Sequence, residues 1–365
     1  MLAPRLSRRT LLKGTAGAIA LGAFPAPAIA QAAKQVRFQL AWLPTGGSLF
    51  TVVAKEKGFW SKRGLDVPIR RGFGSGAAIQ AVTNDQNDFT LAAVGTAILS
   101  VVKAVDLHML ATCGYDSTMG IAVPAKSSIK QPRDLEGKTL GTVGNSGEAP
   151  YIPAFFSLTK TDPSKVKSVS LDATVLEQSL ISNRVDAIST FAITSVPAFI
   201  ANNFDARMML FADLGLPFYQ LAIVTRNDFL RQNRSLAQDF CQGLLEGLRY
   251  SLLNPEESVD IFLKAVPEVA ATNAGRETTR LGMSIFQVTM LADEAIRNRI
   301  GYSDLETVRT MAGNVEKYVA APGERAPPVE RWYSNDLIGD FKLTEAEWTQ
   351  VRKNNAKVAQ MMGKA

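Results

Sequence analysis

The 365-residue sequence holds a single histidine, His108, and only two cysteines, Cys113 and Cys241. So small a supply of imidazole and thiol excludes most side-chain chemistry at once. No group of His and Cys residues has zinc-ligand spacing. His108 and Cys113 sit near opposite ends of one apolar run, 107–113. If that run is a strand, they stand about 16 Å apart at about 3.3 Å per residue. That is too far for a Cys–His pair, and a local Ser–His–Asp triad is equally disfavoured. His108 is therefore read as a core or surface residue at the end of its strand away from any cleft. The two thiols are read as buried and free rather than as a disulfide.

Other absences narrow the field further. No G-x-x-x-x-G-K-[ST] segment exists, so there is no loop for ATP hydrolysis. "GFGSGA" (72–77) matches G-x-G-x-x-A, but it follows the second strand signal and not the first. The acidic residue a dinucleotide needs about 20 residues later is replaced by Asp88, which comes too early and opens its strand. No run beyond the first thirty residues is long enough and apolar enough to span a membrane.

The first thirty residues read as a leader and not as fold. "SRRTLLK" (7–13) precedes the uncharged run "GTAGAIALGAFPAPAIA" (14–30), which ends in Ala28-Ile29-Ala30. A basic start, a short apolar core and an A-x-A exit describe a secretory signal cleaved near Ala30. Paired Arg8 and Arg9 are of the twin-arginine kind, which exports folded chains. Removing the leader takes away Arg5, Arg8, Arg9 and Lys13, so the net charge falls from +6 to +2. The basicity is mostly targeting, and a nucleic-acid partner loses its support.

From residue 36 strand and helix signals alternate: strands at 36–43, 65–71, 88–94 and 107–113, with helices between them. Pro68 places the second strand near an edge. A second alternation follows from 119: a strand and a turn within 119–130, a strand opening within 134–143, then strands at 167–171, 185–190 and 206–213. "QLAIVTRNDFL" (220–230) reads as the chain returning to the first unit, and the remainder is nearly all helical. The expected fold is α/β and two-lobed. Each lobe is a mostly parallel sheet flanked by helices, with a ligand cleft between the lobes and a helical C-terminal region. Residues 34–118 plus 223–365 are expected to form the first lobe, and residues 119–222 the second. The crossings near 116–122 and 217–225 would form a hinge.

Open α/β sheets bind ligands beyond the carboxyl ends of their strands. Those ends carry Gly with Ser or Thr in the loops "WLPTGGS", "GFGSG", "VGT", "CGYDST", "VGNSGE" and "STFAITS". One such loop only caps a helix. Six on the facing edges of two lobes point to a small-ligand site, where free backbone N–H groups meet hydrogen-bond acceptors. Trp42 and Tyr115 are the loop aromatics nearest those edges. A planar solute could stack on them.

At these residues a resemblance enters. "GFWSKRGLDVPI" (58–69), "AVTNDQNDFTLAAVGT" (81–96), "DLEGKTLGTVGNSG" (134–147) and "NRVDAIST" (183–190) resemble the periplasmic solute-binding proteins of the nitrate, sulfonate and taurine type. "FADLGLPFYQLAIVTRNDFL" (211–230) is similar to the related thiamine-pyrimidine group. The resemblance implies a monomeric type II periplasmic-binding fold without cofactor, metal or catalysis. Such a protein closes on a small solute and delivers it to a membrane ABC permease and its ATPase. Carried onto this chain, the first-lobe contacts would be Trp42, Thr45, Gly46, Gly47, Ser48, Gly74, Ser75, Gly95, Thr96 and Tyr115. Those of the second lobe would be Asn145, Ser146, Gly147, Glu148, Thr190 and Phe191. The carboxylate of Glu148 would repel a sulfonate unless the solute also carried an amine. Thiamine-degrading relatives of this fold use a cysteine nucleophile, which leaves an enzyme built on Cys113 as the alternative.

Overall fold

The structure is a computed structural model that describes residues 33–272 and 274–364. The leader sequence lies outside the described residues. In chain order the strands begin with β1 (Lys34–Gln35), β2 (Phe38–Gln39), β3 (Leu65–Asp66) and β4 (Ile69–Arg70). They continue with β5 (Phe89–Ala93), β6 (Leu107–Cys113), β7 (Met119–Pro124) and β8 (Thr139–Thr142). The last four are β9 (Lys167–Ser170), β10 (Ala187–Phe191), β11 (Ala206–Leu210) and β12 (Leu221–Arg226).

Two five-stranded sheets result, ordered β4-β2-β5-β12-β6 and β11-β7-β10-β8-β9. β5 and β6 lie inside the first sheet and at its packed end, and every residue of both is buried. Their near-continuous apolar sequences are what a sheet covered on both faces demands. β9 is an edge strand with the sequence KSVS, mostly exposed. Its lysine and serines suit an edge that must not recruit another strand. The strand read over 36–43 is only two residues of this sheet, because the chain after Leu40 turns into the loop that faces the cleft. Pro68 splits the 65–71 run into β3 and β4, and β4 is indeed an edge.

Each sheet has one strand antiparallel to its neighbours: β12 in the first, β7 in the second. These are the two strands entered directly from the other sheet. A chain leaving one sheet at its carboxyl edge arrives at the carboxyl edge of the next, so it must run against the strands that end there. The connecting segments are 114–118 and 211–220. They lie side by side: the Ser117 amide donates to Phe218 O at 2.8 Å, and the Gln220 amide to Gly114 O at 2.9 Å. The Gln220 side chain pins the pair, accepting from the Thr118 amide at 2.7 Å and donating to Thr118 Oγ1 at 3.2 Å.

The C-terminal helices pack mainly on the first sheet. Phe240 of helix Arg234–Leu253 stacks on Phe89 at 4.1 Å, and Trp60 Nε1 donates to Phe240 O at 2.9 Å. Helix Gly275–Thr289 also reaches the second lobe. A methyl group placed on its Gly282 would lie 3.4 Å from both Gly47 N and Ile193 O. Sequence reading had assigned this region to the first lobe alone.

Candidate functional site

The carboxyl ends of the two sheets face one another across a cavity of about 730 Å³ of non-protein space, its open mouth included. From the first lobe come Leu40 to Leu43, Thr45, Gly47 and Ser48, then Gly74 and Ser75 after β4. β5 adds Leu91 and Ala93, and the returning segment adds Gln220 and Leu221. The second lobe supplies Ser146, Gly147 and Glu148 after β8, then Leu176. It also supplies Thr190 and Phe191 at the end of β10, with Ile193 and Thr194 beyond. Trp42 and Phe191 are half-buried rings on opposite lobes, and Trp42 also packs against the apolar cluster of the second lobe.

Glu148 is the only ionisable residue on this lining; no Lys, Arg or His belongs to it. Its residue exposure is 1 %. Oε1 accepts from Ser146 Oγ at 2.6 Å and from Ser189 Oγ at 3.1 Å. Oε2 is buried and has no hydrogen-bond partner among the described residues. Burial lifts this carboxyl above the usual carboxylate range, and the nearby Glu177 charge adds to the lift. The Ser146 and Ser189 hydroxyls oppose it. A desolvated carboxylate with one bare oxygen is costly unless a donor meets it.

Of the sixteen residues anticipated, eleven line the cavity: Trp42, Thr45, Gly47, Ser48, Gly74, Ser75, Ser146, Gly147, Glu148, Thr190 and Phe191. The other five do not. Gly46 faces the Thr279 backbone of helix Gly275–Thr289. Tyr115 is buried in the hinge, donates to Tyr302 O at 2.6 Å, and packs edge-on against Tyr219. Its hydroxyl is thus held away from the cleft, because the strand end that carries it turns into the crossing segment. Gly95, Thr96 and Asn145 sit where the lobes touch. Thr96 Oγ1 donates to Gly147 O at 2.9 Å, and the Gly76 amide donates to Asn145 O at 3.3 Å. Gly95 packs against the Tyr151 ring.

The glycine loops therefore act differently from their sequence reading. They admit the opposite lobe as much as a solute. A Cβ on Gly74, whose φ is +119°, would fall 1.9 Å from Asn145 O. A Cβ on Gly147 would fall 3.0 Å from Ala93 Cβ and 3.1 Å from Ser75 Oγ. The lobes are closed on each other, and glycine makes the fit possible.

Sequence reading missed Gln220 and Leu176 as lining residues, and it missed Glu177 behind the wall. Gln220 had a signal, since it stands at the second crossing. Glu177 had none, because only the packing of helix Leu176–Ile181 on β10 brings it to Ser195. The two sulfur sites lie elsewhere. Cys113 and Cys241 are buried and free, and burial pushes both thiols well above the ordinary range. His108 bonds Asn227 and Ser334 at 3.0 Å each, and its burial favours the neutral ring.

Two sheets of this order, joined twice and closing over one cavity, define the type II periplasmic-binding fold. The chain belongs to the family described as NMT1/THI5 like, which matches residues 47–258. It is 23% identical over 338 residues to the riboflavin-binding protein RibY of Chloroflexus aurantiacus, covering 89% of this chain and 92% of that one. It is 23% identical over 235 residues to the formylaminopyrimidine-binding protein of Halalkalibacterium halodurans, covering 64% and 71%. Among solved structures, the alkanesulfonate-binding protein SsuA of Xanthomonas axonopodis pv. citri matches with a TM-score of 0.60 at 13% identity, covering 82% of this chain and 98% of that one.

Proposed function

We propose that this protein is the solute receptor of an ABC import system and that its solute is a planar, nitrogen-bearing compound. The single observation that carries the reading is the bare Oε2 of Glu148, buried in a cavity that has no cationic residue on its lining. A sulfonate or nitrate needs a positive group there and finds a carboxylate. A solute that donates N–H to Glu148 and stacks between Trp42 and Phe191 satisfies both features. The named binding partners of the two curated relatives, a formylaminopyrimidine and riboflavin, are both nitrogen heterocycles and support the reading.

In this reading the leader delivers a monomer to the periplasm, and residues 119–222 close on residues 34–118 plus 223–365 when solute binds. A membrane permease, driven by its ATPase, reads the closed form. No chemistry is performed. Cys113 is buried outside the cavity lining, so nothing favours it as a nucleophile. A thermal-shift screen over nitrogen heterocycles, sulfonates, taurine and nitrate tests the proposal. A ligand at 100 times its Kd adds about 2.7 kcal/mol, which such a screen detects. For any solute found, Glu148→Ala should weaken binding about 10- to 100-fold, the range for a hydrogen bond to a charged group. A sulfonate that binds tightly and is indifferent to Glu148→Ala would refute it.

A further inference from the structure

Where the lobes touch beside the cavity, two neighbouring contacts pull in opposite directions. The first is a clasp: Thr96 Oγ1 of the first lobe donates to Gly147 O of the second at 2.9 Å. The other lies one residue away on the same helix, Val94–Val102. There Tyr151, the last residue of the short turn Ala149–Tyr151 in the second lobe, lays the tip of its ring on Gly95. A Cβ on Gly95 would fall 2.9 Å from the Tyr151 hydroxyl oxygen and 3.1 Å from its Cζ. The ring also packs edge-on against Phe218 of the second crossing segment, at 5.1 Å. Tyr151 is fully buried, and its hydroxyl has no hydrogen-bond partner among the described residues. Burial pushes the phenol well above its ordinary range, so the group stays a neutral hydroxyl.

A phenol hydroxyl can both donate and accept. Buried with neither bond made, it costs the whole of its desolvation. Glu148 Oε2 is also without a partner, but Glu148 lines the cavity and a solute can reach it. Tyr151 is not among the lining residues, so a solute does not relieve it. The first lobe covers the hydroxyl at Gly95, and parting the lobes opens it to water.

We infer that Tyr151 is a counterweight to closure: its hydroxyl is hydrated when the lobes part and stripped of water against Gly95 when they meet, so it holds down the population of the empty closed form. Thr96 acts against it. This rests on the proposed receptor function and adds a residue that sets affinity without touching solute. The apparent Kd is the intrinsic Kd divided by the fraction of protein in the competent form. Tyr151 and Thr96 therefore scale the affinity for every solute by the same factor, whereas Glu148 acts on the solutes that can bond to it.

Closure can be read without any solute. The Cβ position on Gly147 lies 3.1 Å from Ser75 Oγ, so Ser75→Cys with Gly147→Cys puts two thiols within disulfide reach when the lobes meet. That Cβ also lies 3.0 Å from Ala93 Cβ and 3.2 Å from Phe191 Cζ, a burden shared by every variant compared. Cys113 and Cys241 are buried and stay out of the reaction. In the whole protein, the rate of crosslinking at a fixed concentration of diamide follows the closed fraction. Adding Tyr151→Phe should speed it about 5- to 30-fold, the worth of an unmet buried hydroxyl. Adding Thr96→Val should slow it about 3- to 10-fold, the worth of one hydrogen bond. Gly95→Ala should also slow it, and by less when Tyr151→Phe is present, because part of the collision is with the hydroxyl. An unchanged or slower rate in Tyr151→Phe would overturn the inference, since the hydroxyl would then have a partner in the closed form or stay covered in the open one. A faster rate matched by a fall in the urea midpoint would overturn it too, by showing a loosened fold. If the rate rises and no solute binds, the counterweight stands and the receptor reading falls. If a solute binds tightly and Tyr151→Phe changes neither rate nor affinity, the receptor stands and the counterweight falls.

Discussion

The wall that the first lobe gives to the cleft differs in kind from the wall across it. On the first lobe Leu40, Leu43, Leu91 and Ala93 present carbon, beside polar side chains that are partly engaged inside the protein. Ser48 Oγ is committed to the Thr45 backbone, Ser75 Oγ accepts from the Ala93 amide at 2.9 Å, and both ends of the Gln220 amide hold Thr118. On the second lobe Glu148 keeps an oxygen with no partner among the described residues, and Thr190 pairs with Ser195. The difference teaches a division of labour. In the proposed reading, one lobe supplies a mainly apolar shape with its hinge attached, and the other supplies the carboxyl that selects the solute. Closure is what joins the two halves of the recognition.

The most damaging way to break that arrangement is to keep the walls apart. Gly147→Leu places a side chain into Ala93 and Ser75 across the cleft without demanding an unusual backbone angle. Solute affinity should drop by 100-fold or more, about 2.8 kcal/mol at about 1.4 kcal/mol per factor of ten, because the clash opposes the closed state. Unfolding of the unliganded protein should be unchanged, and small-angle scattering should show a more open form with solute present. Wild-type affinity in this variant would mean that solute binds without closure.

A smaller effect isolates the shape side. Trp42→Ala removes the ring that the first lobe lays against the second. About 10- to 50-fold of affinity should go, the scale of a stacked aromatic contact plus its buried area. Trp42→Phe should recover most of it. If Trp42→Ala instead changed the order of preference among solutes, the division between shape and chemistry would be wrong.

The smallest effect reads the cost of the chemical side in the empty protein. The Glu148 carboxyl is raised in the folded state, so its protonated form is favoured there. The stabilisation from that raised value is full below the ordinary glutamate value, about 4.3, and is lost as pH rises through the folded value. At pH values where Glu148 is ionised the unliganded protein therefore carries the burden of a buried charge. Glu148→Gln should raise its Tm by roughly 1–3 °C at pH 7, with the gap closing towards pH 4. A gap that does not change with pH would show that Glu148 is not charged in the empty cleft.

Much of this was legible along the chain, and the reasons are local. The buried strand 107–113 is a short apolar run with turn residues after it, and it appears as read; the run 119–130 holds the strand Met119–Pro124. The loops after the strands put Trp42, Ser75, Glu148 and Thr190 at the cavity because α/β topology sends strand ends to one edge. Tyr115 was read into the site because it too follows a strand. Its loop, however, is a crossing segment, and Tyr302, far along the sequence, takes its hydroxyl.

By itself the sequence determined the alternation of strands and helices, the edge on which ligand-facing loops gather, and the presence of Asp116 and Glu148 among them, of which the fold brings only Glu148 to the cavity. Those depend on periodicity and on residues close in the chain. Only the tertiary structure decided that Gly74 meets Asn145 and Gly147 meets Ser75 across the cleft, that Glu148 has one oxygen without a partner among the described residues, and that Thr190 pairs with Ser195, itself bonded to Glu177. Each of these is a count of hydrogen-bond partners or of space between segments tens of residues apart. Such counts exist only once the two lobes are folded and brought together.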